Sequence, residues 1–201
     1  MSANVDIVIP ARYASTRFPG KSLVAIKGKP MIERVYERAS QTKLARKVIV
    51  ATDDQRIADA VKAFGGDWIM TGGDHNTGTD RLAEVARRLE DSEIIANVQG
   101  DEPLISPESI DAAISPLLED DQVEMSTIAY PLRKKSMIED PSIVKVVGDN
   151  AGFALYFSRY PIPYHRDEED PMEKERLGHA GLYVYRKETL LKLASDRKSV
   201  V

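Results

Sequence analysis

Three cations follow the first apolar run of the chain, and their spacing suits the binding of a polyphosphate. The run from Val5 to Ile9 predicts a β-strand. The loop after it holds the cations Arg12, Arg17 and Lys21 beside small residues such as Ser15 and Gly20. Guanidinium, ammonium and backbone amide groups at the carboxyl end of a parallel strand are typical of triphosphate sites. The alternative is an exposed basic loop. The chain has neither the glycine fingerprint of dinucleotide sites nor a Walker-type loop.

A second polar segment, Asn97 to Pro103, begins within another predicted strand, Ile94 to Val98. The Asp101 carboxylate could hold Mg²⁺, because this ion binds one or two carboxylates and keeps its other positions for water and substrate phosphates. A structural turn capped by Asp101 is equally open, since Gly-Asp pairs are common in turns. The segment therefore predicts either a metal site or a turn.

A third segment runs from Asp74 to Arg81 into a predicted helix. Hydroxyls and amides near Thr79 could bind a base or a phosphate, with Arg81 as a charged clamp. The alternative is simple helix capping by Thr77 or Thr79.

The last candidate residues lie far downstream. Arg159 follows an apolar run and could pair with a substrate carboxylate. His179 and Tyr183 are four residues apart and could line the same pocket. For the aromatic residues of this region, ordinary burial is the alternative.

The elements that must position these residues alternate between short β-branched runs and amphipathic helical patterns in the first half of the chain. The second half changes to short strands with few helices. The pattern predicts an α/β fold with a mostly parallel twisted sheet flanked by helices, and a small mixed α/β lobe in the second half. We expect a single domain over residues 1–201, with residues 1–120 binding nucleotide.

Composition narrows the function classes. The chain has 201 residues, of which 42% are hydrophobic and 30% charged, with a net charge of −4 and no cysteine. The net charge argues against a nucleic-acid-binding module. No long apolar run indicates a membrane span or a signal peptide, so we expect a cytoplasmic protein. Without cysteine there is no disulfide framework and no thiolate site.

Ordered motifs along almost the whole chain identify a resemblance. They are the runs 9–21, 28–31, 51–54, 74–81, 97–103, 143–146, 154–159 and 179–183. This series closely resembles the 3-deoxy-manno-octulosonate cytidylyltransferases, also called CMP-Kdo synthetases. The resemblance implies a nucleotide-diphospho-sugar transferase-like fold and a cytoplasmic, Mg²⁺-dependent transferase. Its reaction moves CMP from CTP to the acidic sugar Kdo, releases pyrophosphate and serves lipopolysaccharide biosynthesis.

The resemblance also implies roles for individual residues. Arg12, Lys21 and Asp101 would be catalytic, with Asp101 as the Mg²⁺ ligand. The nucleotide would be bound by Pro10, Ala11, Arg12, Ser15, Arg17, Lys21, Thr79, Arg81 and Gln99. The sugar would be bound by Gln99, Arg159, His179 and Tyr183. Residues 121–201 would bind the sugar and form a homodimer.

The family's C-terminal segment, which carries a second metal-binding Asp, has no counterpart after Lys192, so we expect it to be missing. Two alternatives to Kdo transfer stay open at this point. One is a cytidylyltransferase for another acidic keto sugar, either sialic acid or an amino-substituted Kdo analogue. The other is a truncated CTP-binding protein without turnover.

Overall fold

The structure is a computed structural model that describes residues 3–14, 18–73, 75, 77–164 and 176–196. By its contacts the chain divides into two units. The first spans Met1–Ser126 and Leu182–Val201, and the second spans Thr127–Gly181. Residues after 181 therefore return to the first unit, whereas the sequence pattern predicts a single division of the chain at residue 120. The assignment of nucleotide binding to residues 1–120 and of sugar binding and dimerisation to residues 121–201 stays a prediction.

Strands and helices alternate through the described part of the first unit. The strands of the chain are β1 (Val5–Ala11), β2 (Ala25–Ile26), β3 (Lys29–Pro30), β4 (Lys47–Thr52), β5 (Asp67–Met70), β6 (Ile94–Asn97), β7 (Met125–Pro131), β8 (Lys145–Gly148), β9 (Ala154–Ser158) and β10 (Leu177–Arg186). The helices are α1 (Met31–Ala39), α2 (Gln55–Ala63), α3 (Gly78–Arg88), α4 (Pro107–Glu119), α5 (Lys135–Glu139) and α6 (Lys187–Ser195), with a short 3-10 turn at Lys21–Leu23.

The sheet of the first unit has the strand order β5-β4-β1-β6, and these four strands are parallel. The C-terminal part of β10 adds to β6 in the antiparallel sense. Strand β1 is buried along nearly its whole length because β4 and β6 flank it and helices cover the sheet, as parallel sheets require. The predicted α/β fold with a mostly parallel sheet is confirmed.

A buried carboxylate fixes the start of the central strand. Asp6 on β1 is fully buried and accepts two hydrogen bonds from Arg46, at 3.1 and 2.9 Å, and a third from the Ser92 hydroxyl. Arg46 precedes β4 and Ser92 precedes β6, so one side chain ties the beginnings of three neighbouring strands. The opposite, carboxyl ends of β1 and β6 carry the first and second polar segments of the sequence analysis.

The described strands of the second unit pair in the antiparallel sense. Strand β8 pairs with β9 on one side and with the first residues of β10 on the other. Strand β10 begins at Leu177, whereas the apolar pattern of the sequence predicts a strand only over Leu182–Tyr185. The pattern concealed this beginning because Gly178 and Gly181 lack the apolar side chains that mark alternation. Among the residues that the structure describes, no helix is long and apolar enough to cross a membrane.

Candidate functional site

A cavity of about 350 Å³ opens at the carboxyl ends of β1 and β6 in the first unit. The chain crosses from β1 to β4 on one side and later adds β6 on the other, so ligands are expected at this edge of the sheet. The lining residues are Pro10, Ala11, Arg12, Ala14, Lys21, Ser22, Gln99, Gly100 and Asp101. The structure thus brings together the first and second polar segments, which lie some 80 residues apart in the sequence.

Two opposite charges meet at this cavity. The Lys21 ammonium lies 2.7 Å from the Asp101 carboxylate, and the two side chains are 40% and 50% exposed. An ion pair this exposed adds little to stability. A phosphate can therefore draw the ammonium away from the carboxylate at small cost, and the carboxylate is then available to a cation.

The loop that carries Lys21 is held by backbone geometry. Gly20 adopts a left-handed conformation, with φ at 71°, and its N–H donates to the Tyr13 carbonyl at 2.8 Å. The guanidinium of Arg56 lies 3.2 Å from the centre of the Tyr13 ring, which is a cation–π contact. The following 3-10 turn then fixes the Lys21 backbone. Ser15 and Arg17, the other candidate residues of this loop, lie outside the described residues.

The second segment depends on a glycine for its close approach to the first. A Cβ atom added at Gly100 would stand 2.8 Å from the Pro10 carbonyl oxygen, too near for two atoms that are not bonded. Gly100 therefore lets the chain pass against the end of β1 and places Asp101 beside Lys21. Burial raises the pKa of the next residue, Glu102, and the neighbouring Asp101 carboxylate raises it further.

A divalent cation fits this site only as an ion shared with a substrate. Within the described ranges there is no group of three or more His, Cys, Asp or Glu side chains that could hold a metal on its own. Asp101 offers a half-exposed carboxylate at the cavity. Mg²⁺ commonly binds through one or two carboxylates and completes its shell with water and phosphate oxygens. The donor set is compatible with that mode of binding.

The third segment is arranged around a buried arginine. Arg81 is 1% exposed, donates to the Asp53 carboxylate at 2.6 Å and also donates to the Thr71 hydroxyl. It thereby ties α3 to the residues that follow β4 and β5. Thr77 caps α3, forming a reciprocal pair of hydrogen bonds with Asp80.

Neither Thr79 nor Arg81 lines the cavity, and their contacts with a nucleotide stay predictions. Thr79 lies in the first turn of α3.

Two of the downstream candidates lie in the second unit. Arg159 follows β9 and donates to the Pro141 carbonyl at 2.8 Å. On β10, His179 Nε2 lies 2.8 Å from the Thr127 hydroxyl, and its ring meets the Phe157 ring edge-on with centroids 4.9 Å apart. Burial lowers the pKa of His179, which keeps the imidazole neutral near pH 7.

Tyr183, the last candidate, lies in the first unit. On β10 it pairs with Asn97 of β6 and stacks on Tyr185, with ring centroids 6.2 Å apart. Burial raises the pKa of Tyr183, so its phenol stays protonated at neutral pH.

Several residues of the cavity and its support give little or no signal in the sequence. Ser22 is buried and lines the cavity, but a lone serine in a polar loop gives no signal. In the sequence, Gly100 indicates only a possible turn with Asp101. Asp53 could have been suspected as the partner of Arg81, because a buried arginine needs a carboxylate.

Comparison with known proteins places these features in context. A family model described as "Cytidylyltransferase" matches residues 7–201. A 3-deoxy-manno-octulosonate cytidylyltransferase from Syntrophotalea carbinolica is 54% identical over 197 residues, which cover 95% of this chain and 78% of the relative. A protein of the same name from Geobacter sulfurreducens is 52% identical over 199 residues, covering 95% of this chain and 79% of that protein.

Solved structures agree with these sequence relatives. The structure of a CMP:2-keto-3-deoxy-manno-octonic acid synthetase complexed with CTP matches with a TM-score of 0.89 and 45% identity, covering 96% of this chain and 78% of that one. A 4-diphosphocytidyl-2C-methyl-D-erythritol synthase from Anaerococcus prevotii matches with a TM-score of 0.59 and 14% identity, covering 96% and 74% of the two chains. This second match supports the fold alone.

Proposed function

Since this chain belongs to the 3-deoxy-manno-octulosonate cytidylyltransferase family, we propose that it transfers CMP from CTP to 3-deoxy-manno-octulosonate (Kdo) and releases pyrophosphate. The activated sugar that results is a donor for lipopolysaccharide biosynthesis. The observation that carries the proposal is the cavity where Arg12, Lys21 and Asp101 meet at the carboxyl ends of β1 and β6.

The residues that line the cavity are proposed to bind different parts of the nucleotide. Pro10 and Ala11 at the end of β1 form one wall with main-chain groups, and Gln99, two residues after β6, offers a side-chain amide. Arg12 and Lys21 supply positive charge for the phosphates. We assign the same task to Arg17, and nucleotide contacts to Ser15, Thr79 and Arg81, from the family resemblance alone.

Asp101 is the residue proposed to hold Mg²⁺, together with phosphate oxygens of the bound nucleotide. When bound, the ion would withdraw negative charge from these oxygens and make the α-phosphorus a better electrophile. Before substrate binds, the Lys21 ammonium neutralises the Asp101 carboxylate. When CTP and Mg²⁺ bind, Lys21 would pair with the phosphates and Asp101 with the cation.

The reaction itself needs positioning and charge neutralisation rather than a covalent intermediate. The anomeric hydroxyl of the sugar attacks the α-phosphorus in line and loses its proton to solvent. A bond forms between that oxygen and phosphorus as the bond to the bridging oxygen of pyrophosphate breaks. Arg12 and Lys21 stabilise the negative charge that gathers on the departing pyrophosphate.

Sugar binding is proposed for four residues. In the second unit, Arg159 carries a guanidinium suited to the Kdo carboxylate, and the neutral His179 imidazole suits a sugar hydroxyl. The roles of Gln99 and Tyr183 in sugar binding rest on the family resemblance.

We further propose that the protein is a homodimer through the second unit. Strand β9 and the residue before it expose large apolar side chains, namely Phe153, Leu155, Tyr156 and Phe157, which are 42–66% exposed. Patches of this kind mark contact surfaces. Sedimentation analysis of the wild type should give the mass of two chains, and Leu155→Asp should shift it toward one; a wild-type monomer would refute the proposal.

The proposed reaction is tested by pyrophosphate release from CTP with Mg²⁺ and three sugar conditions: Kdo, sialic acid and no sugar. We expect release with Kdo and none in the other two reactions. Faster pyrophosphate release with sialic acid than with Kdo would indicate that the substrate is another acidic keto sugar. Calorimetric CTP binding without release under any condition would indicate a CTP-binding protein without turnover.

A further inference from the structure

The second unit contains a fully buried lysine that is not among the proposed substrate-binding residues. Lys145 on β8 has no exposed surface, although lysine is among the residues least often buried. Its ammonium donates to three main-chain carbonyls: Asp140 at 2.6 Å, Ile143 at 2.9 Å and Arg159 at 2.9 Å. An ammonium has three N–H donors, so every one of them is used.

The position of Lys145 in the sheet links two of the proposed sugar-binding residues. Lys145 pairs with Ser158 of β9, the residue before Arg159, and with Gly178 of β10, the residue before His179. The His179 N–H donates to the carbonyl of Val144 at 2.8 Å. Both sugar-binding candidates therefore follow directly after the two cross-strand partners of this lysine.

The three carbonyls belong to the two segments that hold the Arg159 side chain. One segment is the turn that contains Asp140 and Ile143, and between them Pro141 accepts the hydrogen bond from the Arg159 guanidinium at 2.8 Å. The other is the main chain of Arg159 itself. Lys145 thus fixes both where Arg159 leaves the sheet and where its guanidinium rests.

The charges of this cluster favour an anion near Arg159. The hydrogen-bond acceptors of Lys145 are neutral carbonyls, and the acceptor found for Arg159 is neutral too. Burial lowers the pKa of Lys145; the Asp140 carboxylate opposes that shift and the Arg159 guanidinium adds to it. The two cations repel each other, and a carboxylate bound to Arg159 relieves that repulsion.

We propose that Lys145 is the positioning residue of the sugar-carboxylate subsite: it orders the 140–143 turn and the Arg159 backbone so that the guanidinium is preorganised for an acidic sugar. This inference rests on the proposed function, because it takes Arg159 as the partner of the Kdo carboxylate. Lys145 itself touches no substrate. Its loss should therefore weaken sugar binding while leaving CTP binding in place.

The test compares steady-state constants of Lys145→Met with those of the wild type. Methionine keeps the length of the side chain and removes all three donors. We expect the KM for Kdo to rise at least about tenfold and the KM for CTP to stay within about twofold. The matched control is Lys135→Met, since Lys135 lies in α5 of the same unit, is 62% exposed and is paired only loosely with Glu139, at 3.7 Å. The control should match the wild type in both constants.

A double variant separates positioning from a merely structural effect. If Lys145 acts through Arg159, Lys145→Met should not raise the KM for Kdo further in an Arg159→Ala background. Additive increases, or equal increases in the KM values for Kdo and CTP, would overturn the proposal. If Lys145→Met does not fold, Lys145→Gln, which keeps two N–H donors, is measured in its place. A wild-type KM for Kdo in Lys145→Gln, or failure of this variant to fold as well, would overturn the proposal.

Failure of the underlying assignment gives a different result. If Arg159→Ala alone leaves the KM for Kdo unchanged, Arg159 is not the carboxylate partner, and the sugar site proposed above is wrong. If Arg159→Ala raises that KM and Lys145→Met does not, only the positioning role of Lys145 is wrong.

Discussion

Replacing Gly100 with alanine tests whether the contact between the two cavity segments matters for catalysis. The added Cβ would lie 2.8 Å from the Pro10 carbonyl oxygen, with Ile9 and Ala11 side-chain carbons at 3.6 and 3.7 Å behind it. A carbon and a carbonyl oxygen need about 3.3 Å, so the segments must separate by about 0.5 Å. The Pro10 oxygen is a main-chain atom and the new Cβ is bonded directly to the main chain, so neither can rotate away as the tip of a flexible side chain could.

Two effects of that separation can be estimated. Overpacking of this kind costs about 1–3 kcal/mol, which for a chain of this size lowers the thermal midpoint by about 2–12 °C. A misplacement of about 1 Å in an active site can cost about 100-fold in rate, so a shift of half that size should lower kcat/KM for CTP about tenfold.

The assay pairs thermal unfolding with steady-state pyrophosphate release for Gly100→Ala and a control. Gly73→Ala is the matched control, because no atom of the described residues lies within 4 Å of a Cβ added at Gly73, and its φ is not left-handed. The control should retain the wild-type midpoint and kcat/KM. The reasoning is refuted if Gly100→Ala also retains both, since the close approach would then be neither tight nor functional.

The remaining predictions concern charged and titrating groups. Lys21→Met should lower kcat about 100-fold without changing the thermal midpoint, because the pyrophosphate loses a stabilising cation; a kcat near wild type would remove Lys21 from catalysis. Asp101→Asn should raise the Mg²⁺ concentration needed for half-maximal rate, and an unchanged Mg²⁺ titration would contradict its metal role. Asp6→Asn should lower the free energy of unfolding in urea by about 1–3 kcal/mol, less than the loss of a fully buried ion pair because the partner Arg46 is 37% exposed. A loss below about 0.5 kcal/mol would contradict this prediction. Because burial lowers the pKa of His179 below its usual 6.5, the unfolded chain takes up the proton first, so stability should fall as pH drops below about 6.5. That part of the pH slope should vanish in His179→Gln, and its persistence would assign the slope to another group.

The first half of the fold follows closely from local sequence signals. Apolar periodicity predicts α1 over Met31–Ala39, and the structure has those bounds. Ser106 and Pro107 mark the start of α4 as a cap and first helical residue, and Thr77 caps α3. These elements can be predicted from the sequence because helix propensity, capping residues and the burial pattern all indicate the same structure at each of them. The β2–β3 hairpin is too short to give such a pattern.

The site can be predicted only in part from the sequence, because its contacts join segments that are far apart along the chain. The predicted loops do meet at one cavity, since carboxyl ends of neighbouring parallel strands share an edge. The pairing of Lys21 with Asp101 and the burial of Arg81 against Asp53 depend on the whole sheet. Lys145 shows the limit most clearly, because nothing around it in the sequence indicates that its ammonium is enclosed by three carbonyls.

The most direct test of the central claim follows the α-phosphorus of CTP. The protein is incubated with Mg²⁺, Kdo and CTP labelled at the α-phosphate, and the products are separated. We predict label in a CMP–sugar phosphodiester, one unlabelled pyrophosphate per product, and formation of both about 100-fold more slowly in Lys21→Met. Label that stays in CTP, or appears only as free CMP, would contradict it.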